Sequence, residues 1–182
     1  MIQKTDKTWD AKKSKWKAAM EKGLSVSLNR KENILYLGAS TGSTISHLKD
    51  LTSGTIFAVE KSPKMMVELM KLAKTAKNVA PVFCDARDVE EIKKRLFGEG
   101  VDILFQDIPS PDQVDILIKA SDLVDKKCKI LFSLKMLSIH SGKVDRMLKK
   151  IEDRLKTRYK IVEKTSLEPI HVGHYFFVLR KL

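Results

Sequence analysis

Short continuous apolar runs alternate with stretches of helical spacing along most of the chain. Residues 33–37, 55–59, 79–84, 102–105 and 129–134 read as strands. Ser62-Pro63 predicts a helix start, because serine caps a helix and proline fits its first turn. Met65, Met66, Leu69, Leu72, Ala73 and Ala76 continue it at helical spacing. A charged helix is predicted around 88–96. Another spans 112–123, after the breaks at Pro109 and Pro111, and a basic one spans 143–157. Residues 9–24 read as a basic amphipathic helix, and 159–166 with 175–179 as a final strand pair. Strands that are apolar throughout, and separated by helices, belong to a parallel sheet covered on both faces. The expected fold is therefore one α/β domain of the doubly wound type, with a terminal hairpin adding one antiparallel strand. Residues 1–24 are read as a lead-in helix packed on the domain, and 25–182 as its body.

Composition narrows the class. The chain has 182 residues, 43% hydrophobic and 32% charged, which is enough to bury a core without disulfide or metal staples. No apolar stretch reaches the length of a membrane span, and the polar start is unlike a secretory signal. Cys84 and Cys128 are too few for a disulfide framework or a zinc site, which predicts a reducing, cytoplasmic setting.

Charge changes the picture more. There are 35 Lys+Arg against 23 Asp+Glu, a net +12. Eight of the cations fall in residues 1–30 (Lys4, Lys7, Lys12, Lys13, Lys15, Lys17, Lys22, Arg30), and eight more in 143–160. Such clusters are either solvated helix faces or a surface that tracks phosphates. Aromatic residues make up only 7%, which favours backbone contact over base stacking.

In a doubly wound sheet, ligands bind beyond the C-terminal ends of the strands. Gly38, Glu60, Asp85, Asp107 and Lys135 are expected there. The turn from Gly38 and Ala39 through Ser40, Thr41, Gly42, Ser43 and Thr44 has small residues that admit a ligand close to the backbone. It is neither a G-x-G-x-x-G fingerprint nor a P-loop. Glu60, at the end of the second strand, is placed to hold ribose hydroxyls, and Asp85 to accept from an adenine amino group. Lys135 follows an apolar run, so a partner is expected for it. Asp107 is the candidate, either as a structural ion pair or as the group that orients a lysine acting on substrate.

At these residues the chain resembles the fibrillarins, 2′-O-ribose methyltransferases of box C/D guide RNA particles. The resemblance runs in order through Trp9-Asp10 with Ser14-Lys15, then residues 35–39 with Ser40, Gly42 and Thr44. It continues through Ala58-Val59-Glu60 with Ser62-Pro63, Asp85-Ala86-Arg87, Phe105-Gln106-Asp107, Gln113, residues 116–119, Lys135 and Ser138-Ile139. It ends at Leu167-Glu168-Pro169, His174 and Phe177. It implies a Rossmann-like, class I methyltransferase fold with a mostly parallel seven-stranded sheet, and S-adenosylmethionine as cofactor with no metal. It places Gly38, Ala39, Ser43, Thr44, Glu60, Lys61, Asp85, Ala86, Asp107, Ile108, Pro109 and Ser110 around that cofactor. It makes Lys15, Asp107, Lys135 and His174 the catalytic set. The implied partners are a box C/D guide RNA with its target rRNA (or tRNA), a Nop-domain scaffold protein and a kink-turn-binding protein.

Some positions depart from the family pattern. Only eight residues precede Trp9, where relatives carry a small β domain. Lys61 replaces a common aromatic, Ser110 a glutamine, Met136-Leu137 a small–Arg pair, and Gly173 an acid. These leave open a stand-alone RNA methyltransferase, one acting on a protein glutamine, or a non-catalytic RNA-particle module.

Overall fold

The computed structural model describes residues 9–136 and 141–182. The resemblance at Leu137, Ser138 and Ile139, and the first eight residues with Lys4 and Lys7, lie outside the described residues. The strands are β1 (Ile34–Leu37), β2 (Ile56–Glu60), β3 (Val79–Phe83), β4 (Ile103–Gln106), β5 (Lys129–Lys135), β6 (Tyr159–Ser166) and β7 (His174–Lys181). The helices are α1 (Lys15–Glu21), α2 (Ile45–Leu51), α3 (Pro63–Ala73), α4 (Val89–Arg95), α5 (Gln113–Ser121) and α6 (Ser141–Lys156).

All seven strands form one sheet in the order β3-β2-β1-β4-β5-β7-β6. Neighbours from β3 through β5 pair in parallel, whereas β7 is antiparallel to both β5 and β6. The central strands β1 and β4 are buried at every position, as their uninterrupted apolar runs predict. One face of the sheet is covered by α4, α5 and α6, which contribute Ile92, Leu117 and Leu155 to its core. The other is covered by the lead-in segment with α2 and α3, through Trp16, Leu48 and Leu69.

The capping signals hold. Ser62 caps α3 by accepting from Met65 N, with Pro63 in the first turn, and Asp88 caps α4 by accepting from Glu91 N at 3.0 Å. The lead-in differs from a helix over 9–24. Asp10 accepts from Lys12 N at 2.9 Å and closes a tight turn, so helix geometry starts only after Ser14, which accepts from Lys17 N at 3.2 Å. At the other end Gly23 takes a left-handed φ of +84° and stops the helix. The segment is anchored by Trp16, whose ring meets Phe105 edge-on at 5.1 Å and whose Nε1 donates to Val26 O. The last strand also runs longer than 175–179, starting at His174 and ending at Lys181.

Candidate functional site

The sheet order reverses between β1 and β4, because β2 lies on one side of that pair and β5 on the other. The chain leaving β1 and the chain leaving β4 diverge here and open a crevice. Gly38 makes the opening possible. Its φ is +82°, and a Cβ at this position would sit 2.6 Å from Asp107 O and 2.8 Å from Ile108 Cγ1. The loop is tied down by Gly38 N and Ala39 N, which both donate to Val59 O at 3.0 Å, and by Asp107 N donating to Leu37 O at 3.0 Å.

Beyond these strand ends lies a cavity of about 240 Å³. Its wall includes Gly38, Glu60, Lys61, Asp85, Ala86, Asp107, Ile108 and Pro109, eight of the residues expected around the cofactor. Ala39, Ser43, Thr44 and Ser110 stand behind or beside that wall. Ala39 is buried beneath the turn. Thr44 is buried and donates to Ser14 Oγ at 3.0 Å, linking the turn to the lead-in segment. Ser43 lends only its carbonyl, to Ser46 Oγ at 2.8 Å. Ser110 joins an ionic network at the rim.

Glu60 is positioned by the turn it faces. Oε2 accepts from Ser40 N at 2.9 Å and Oε1 from Ser62 N at 2.7 Å. Ser40 itself adopts φ +52°, which the first of these bonds holds in place. A carboxylate has about four acceptor positions, so both oxygens keep capacity for ligand hydroxyls. Asp85 lies in the loop after β3. It pairs with Lys61 Nζ at 3.3 Å and with Arg87 at 3.0 Å. Burial pushes its carboxyl up, but bonds from the Arg87 backbone and guanidinium and from Lys61 outweigh that, leaving it below its ordinary range. Arg87 continues as a fork onto Asp112, with both bonds at 2.8 Å, and onto Ser110 Oγ at 3.0 Å. Lys61, the departure from an aromatic, thus takes part in an ionic strap along the cavity edge. Cys84 also lines the cavity; desolvation pushes its thiol up to about 11, so it is a poor nucleophile at neutral pH.

The four residues of the expected catalytic set come from four distant segments. Lys15 Nζ is 3.0 Å from Asp107 Oδ2. The expected Asp107–Lys135 pair is not formed, since the Asp107 carboxylate faces the lead-in segment rather than β5. Lys135 is exposed and, among the described residues, its ammonium makes no ion pair. His174 lies directly opposite Lys135 in the β5–β7 ladder, so both side chains leave the sheet on the same side. Desolvation lowers the His174 pKa; the bond to Val172 O opposes this and nearby Lys15 adds to it. The ring is therefore neutral at pH 7. Its Nδ1 is 2.9 Å from Val172 O, which can only accept, so Nδ1 carries the hydrogen and Nε2 keeps a lone pair.

Two supports carried no assigned role in the sequence reading. Gln113 is buried, and its side chain brackets the Lys135 backbone. Oε1 accepts from Lys135 N at 3.0 Å and Nε2 donates to Lys135 O at 2.8 Å. Gln106 Nε2 in turn donates to Gln113 O at 2.6 Å. A polar residue at the head of the stripe Ile116, Leu117 and Ala120 was the available signal. His171 donates from Nε2 to Ala11 O at 2.8 Å and packs its ring 5.7 Å from that of His174, joining the β6–β7 loop to the lead-in. Gly173, where relatives carry an acid, adopts φ +68°. Its N–H goes to Glu168 Oε1 at 3.2 Å, and its carbonyl accepts from Met136 N at 2.8 Å.

The walls suit S-adenosylmethionine: acids at the ends of β2 and after β3 for ribose and adenine, apolar Val59, Ala86, Ile108 and Pro109 for a ring, and the Asp107 carboxylate for a positive sulfur.

Known proteins match this arrangement. The family model described as fibrillarin matches residues 3–181. A fibrillarin-like rRNA/tRNA 2′-O-methyltransferase of Methanosarcina barkeri is 33% identical, covering 97% of this chain and 80% of that protein. The counterpart from Picrophilus torridus is 36% identical, with 95% and 81% covered. Among solved structures, a fibrillarin/Nop5p complex superposes with a TM-score of 0.89 at 32% identity, covering 96% of this chain and 84% of that one. Aeropyrum pernix fibrillarin with natively bound S-adenosyl-L-methionine gives 0.80 at 28% identity, with 94% and 76% covered. The chain belongs to the fibrillarin family.

Proposed function

We propose that the protein methylates ribose 2′-hydroxyls of rRNA or tRNA, using S-adenosylmethionine, within a box C/D ribonucleoprotein particle. The observation that supports this reading is a cavity at the β1–β4 strand ends bordered by Glu60, Asp85 and Asp107, with Lys15 3.0 Å from Asp107 and with Lys135 and His174 opposite each other on β5 and β7. The relatives' names specify the rRNA/tRNA 2′-O reaction, and the Nop5p complex supports a Nop-domain scaffold as partner. A guide RNA and a kink-turn-binding protein complete the particle in this reading. Two cysteines that form no disulfide support a reducing, cytoplasmic setting in this reading.

When bound, S-adenosylmethionine supplies an electrophilic methyl group on a positively charged sulfur. Glu60 and Asp85 hold its nucleoside, with Lys61 at the edge. Ser43 and Thr44 bound the turn on the methionine side. Asp107 would set negative charge toward the positive sulfur, and its ion pair with Lys15 at 3.0 Å fixes the carboxylate in place. Lys135 acts on the 2′-hydroxyl, taking its proton or stabilising the negative charge that develops on oxygen. His174, neutral and with Nε2 unprotonated, accepts a hydrogen bond from the ribose and orients it. With an activated methyl donor, the residues chiefly align the reactants.

The test is methyl transfer from labelled S-adenosylmethionine into a short RNA, with the protein alone and with scaffold, kink-turn protein and matching guide. The expected result is 2′-O-methyl ribose only in the assembled particle, abolished by Lys135→Ala. Label on protein, or none in either setting, overturns the proposal.

A further inference from the structure

The basic segment over residues 143–160 plays no part in the site described above. On α6 it divides into two halves. Over residues 152–156 the charges are answered within the molecule. Arg154 pairs with Asp115 of α5, Lys156 lies 3.9 Å from Asp153, and Glu152 is 2.7 Å from Lys164 of β6. Nearer the N-terminus, Arg146, Lys149 and Lys150 are exposed and, among the described residues, make no ion pair. Asp145 is the acid in that stretch. Arg146 and Lys150 stand four residues apart on α6, a like-charged pair that costs a helix stability rather than adding to it. Helix stability therefore does not account for Arg146 and Lys150, whereas Lys149 has Asp145 and Asp153 four residues to either side.

A groove lies alongside them. Pro111, Gln113 and Val114 at the start of α5 face Met147, Lys150, Ile151 and Arg154 of α6 across a space of about 300 Å³. Met147, Ile151 and Arg154 form one stripe of the helix, so the groove has an apolar floor and cationic edges. Met147 is 42% exposed. One wall is Gln113, the residue whose amide holds the Lys135 backbone at 2.8 and 3.0 Å. The groove therefore abuts the end of β5 from which the reacting lysine emerges, on the side of the sheet away from the lead-in segment.

We infer that the α5–α6 groove carries the phosphodiester backbone of the acceptor RNA next to the methylated nucleotide, with Lys150 and, one turn before it, Arg146 on phosphates and Met147 against a sugar. The inference rests on the RNA reading above and names the path the strand takes from the site. The occupant is a polyanion rather than a protein helix because Lys150 on the groove's edge, with Arg146 one turn before it, carries positive charge that no acid among the described residues answers by an ion pair. Exposed cations that serve a phosphate chain contribute through counterion release, and so leave a salt signature.

The experiment uses the full chain and a guide-matched oligoribonucleotide. The double variant Arg146→Ala/Lys150→Ala is compared with a charge-matched control on the opposite edge, Lys74→Ala/Lys77→Ala. The expected result is an RNA Kd raised about tenfold or more at ~0.1 M salt, with the slope of log Kd against log salt reduced by roughly 0.7 per lost contact on a single strand. In the assembled particle KM for RNA rises while kcat at saturating RNA and the S-adenosylmethionine Kd stay as in the parent. Arg146→Glu alone shifts the Kd in the same direction. An unchanged RNA Kd and salt slope overturn the inference even if the parent methylates RNA normally. Loss of scaffold capture with RNA binding intact also overturns it, and makes the groove a protein-docking surface. Failure of the parent protein to methylate ribose overturns the proposed function instead, and the direct binding slopes still decide the groove.

Discussion

The two halves of the sheet treat their polar groups in opposite ways. On the β1–β2–β3 side, nearly every functional group is engaged inside the protein. Both Glu60 oxygens accept from backbone N–H groups, Asp85 sits in an ionic strap, and the turn at Gly38 is fixed by three backbone bonds. On the β4–β5–β7 side, Lys135 stands exposed without an ion pair among the described residues, and His174 keeps an unprotonated nitrogen. A binding half gains from being preorganised, because little ordering remains when the ligand arrives. A reacting half must leave its groups available to atoms that are not yet there.

That contrast can be broken most severely at Gly38. Gly38→Ala places a methyl 2.6 Å from Asp107 O at a φ of +82°. The expected loss is on the order of 3 kcal/mol or more, seen as a lower denaturation midpoint together with weakened S-adenosylmethionine binding by calorimetry. Next is Lys135→Ala, which leaves the cavity walls intact. It should lower kcat by roughly 10²–10⁴ in single-turnover assays while the cofactor Kd and Tm remain near those of the parent.

Gln113→Leu sharpens the comparison, since it touches the reacting half only through the backbone. It strips two bonds from Lys135 and leaves a half-buried N–H and C=O without that partner, a cost of about 1 kcal/mol each. A fall in kcat beyond that of a comparably destabilised core variant, with unchanged cofactor affinity and partial rescue by Gln113→Glu, is the expected pattern. Unchanged kcat would show that the strand end holds Lys135 without the amide.

A smaller effect comes from pH. Folding lowers the His174 pKa below its ordinary value of 6.5, so the unfolded chain binds the proton more readily. Stability contributed by this group is present above about 6.5 and declines as pH falls below it, until the folded ring is itself protonated. The kcat/KM profile should lose its acid limb in His174→Gln, and the acid slope of the denaturation midpoint should shrink. The smallest change expected is Arg154→Ala, which removes an exposed pair with Asp115 and should cost less than about 1 kcal/mol.

The strands and their order along the chain were legible because fully buried parallel strands write uninterrupted apolar runs. Glu60 and Asp107 were legible because acids directly after such runs have few structural uses. Lys15 was not, since it is one lysine among many in a basic segment, and only the fold brings it to Asp107. The mistaken Asp107–Lys135 pairing has the same origin. Adjacent strand ends suggested contact, but the carboxylate turns to the lead-in segment, which sequence order places far away. The lead-in helix was overextended because its amphipathic pattern continues through a turn that Asp10 closes by a side-chain bond. The helix after the first turn, α2, was not legible, its seven residues being too short to show a period.

The strand order has a consequence for synthesis. β7 is threaded between β5 and β6, and its first residue is His174. A growing chain can therefore align β1 to β5 and shape the cofactor walls while the register partner of Lys135 is still unmade. Under the proposed function, competence to hold the methyl donor would precede competence to use it, because His174 arrives with the last strand.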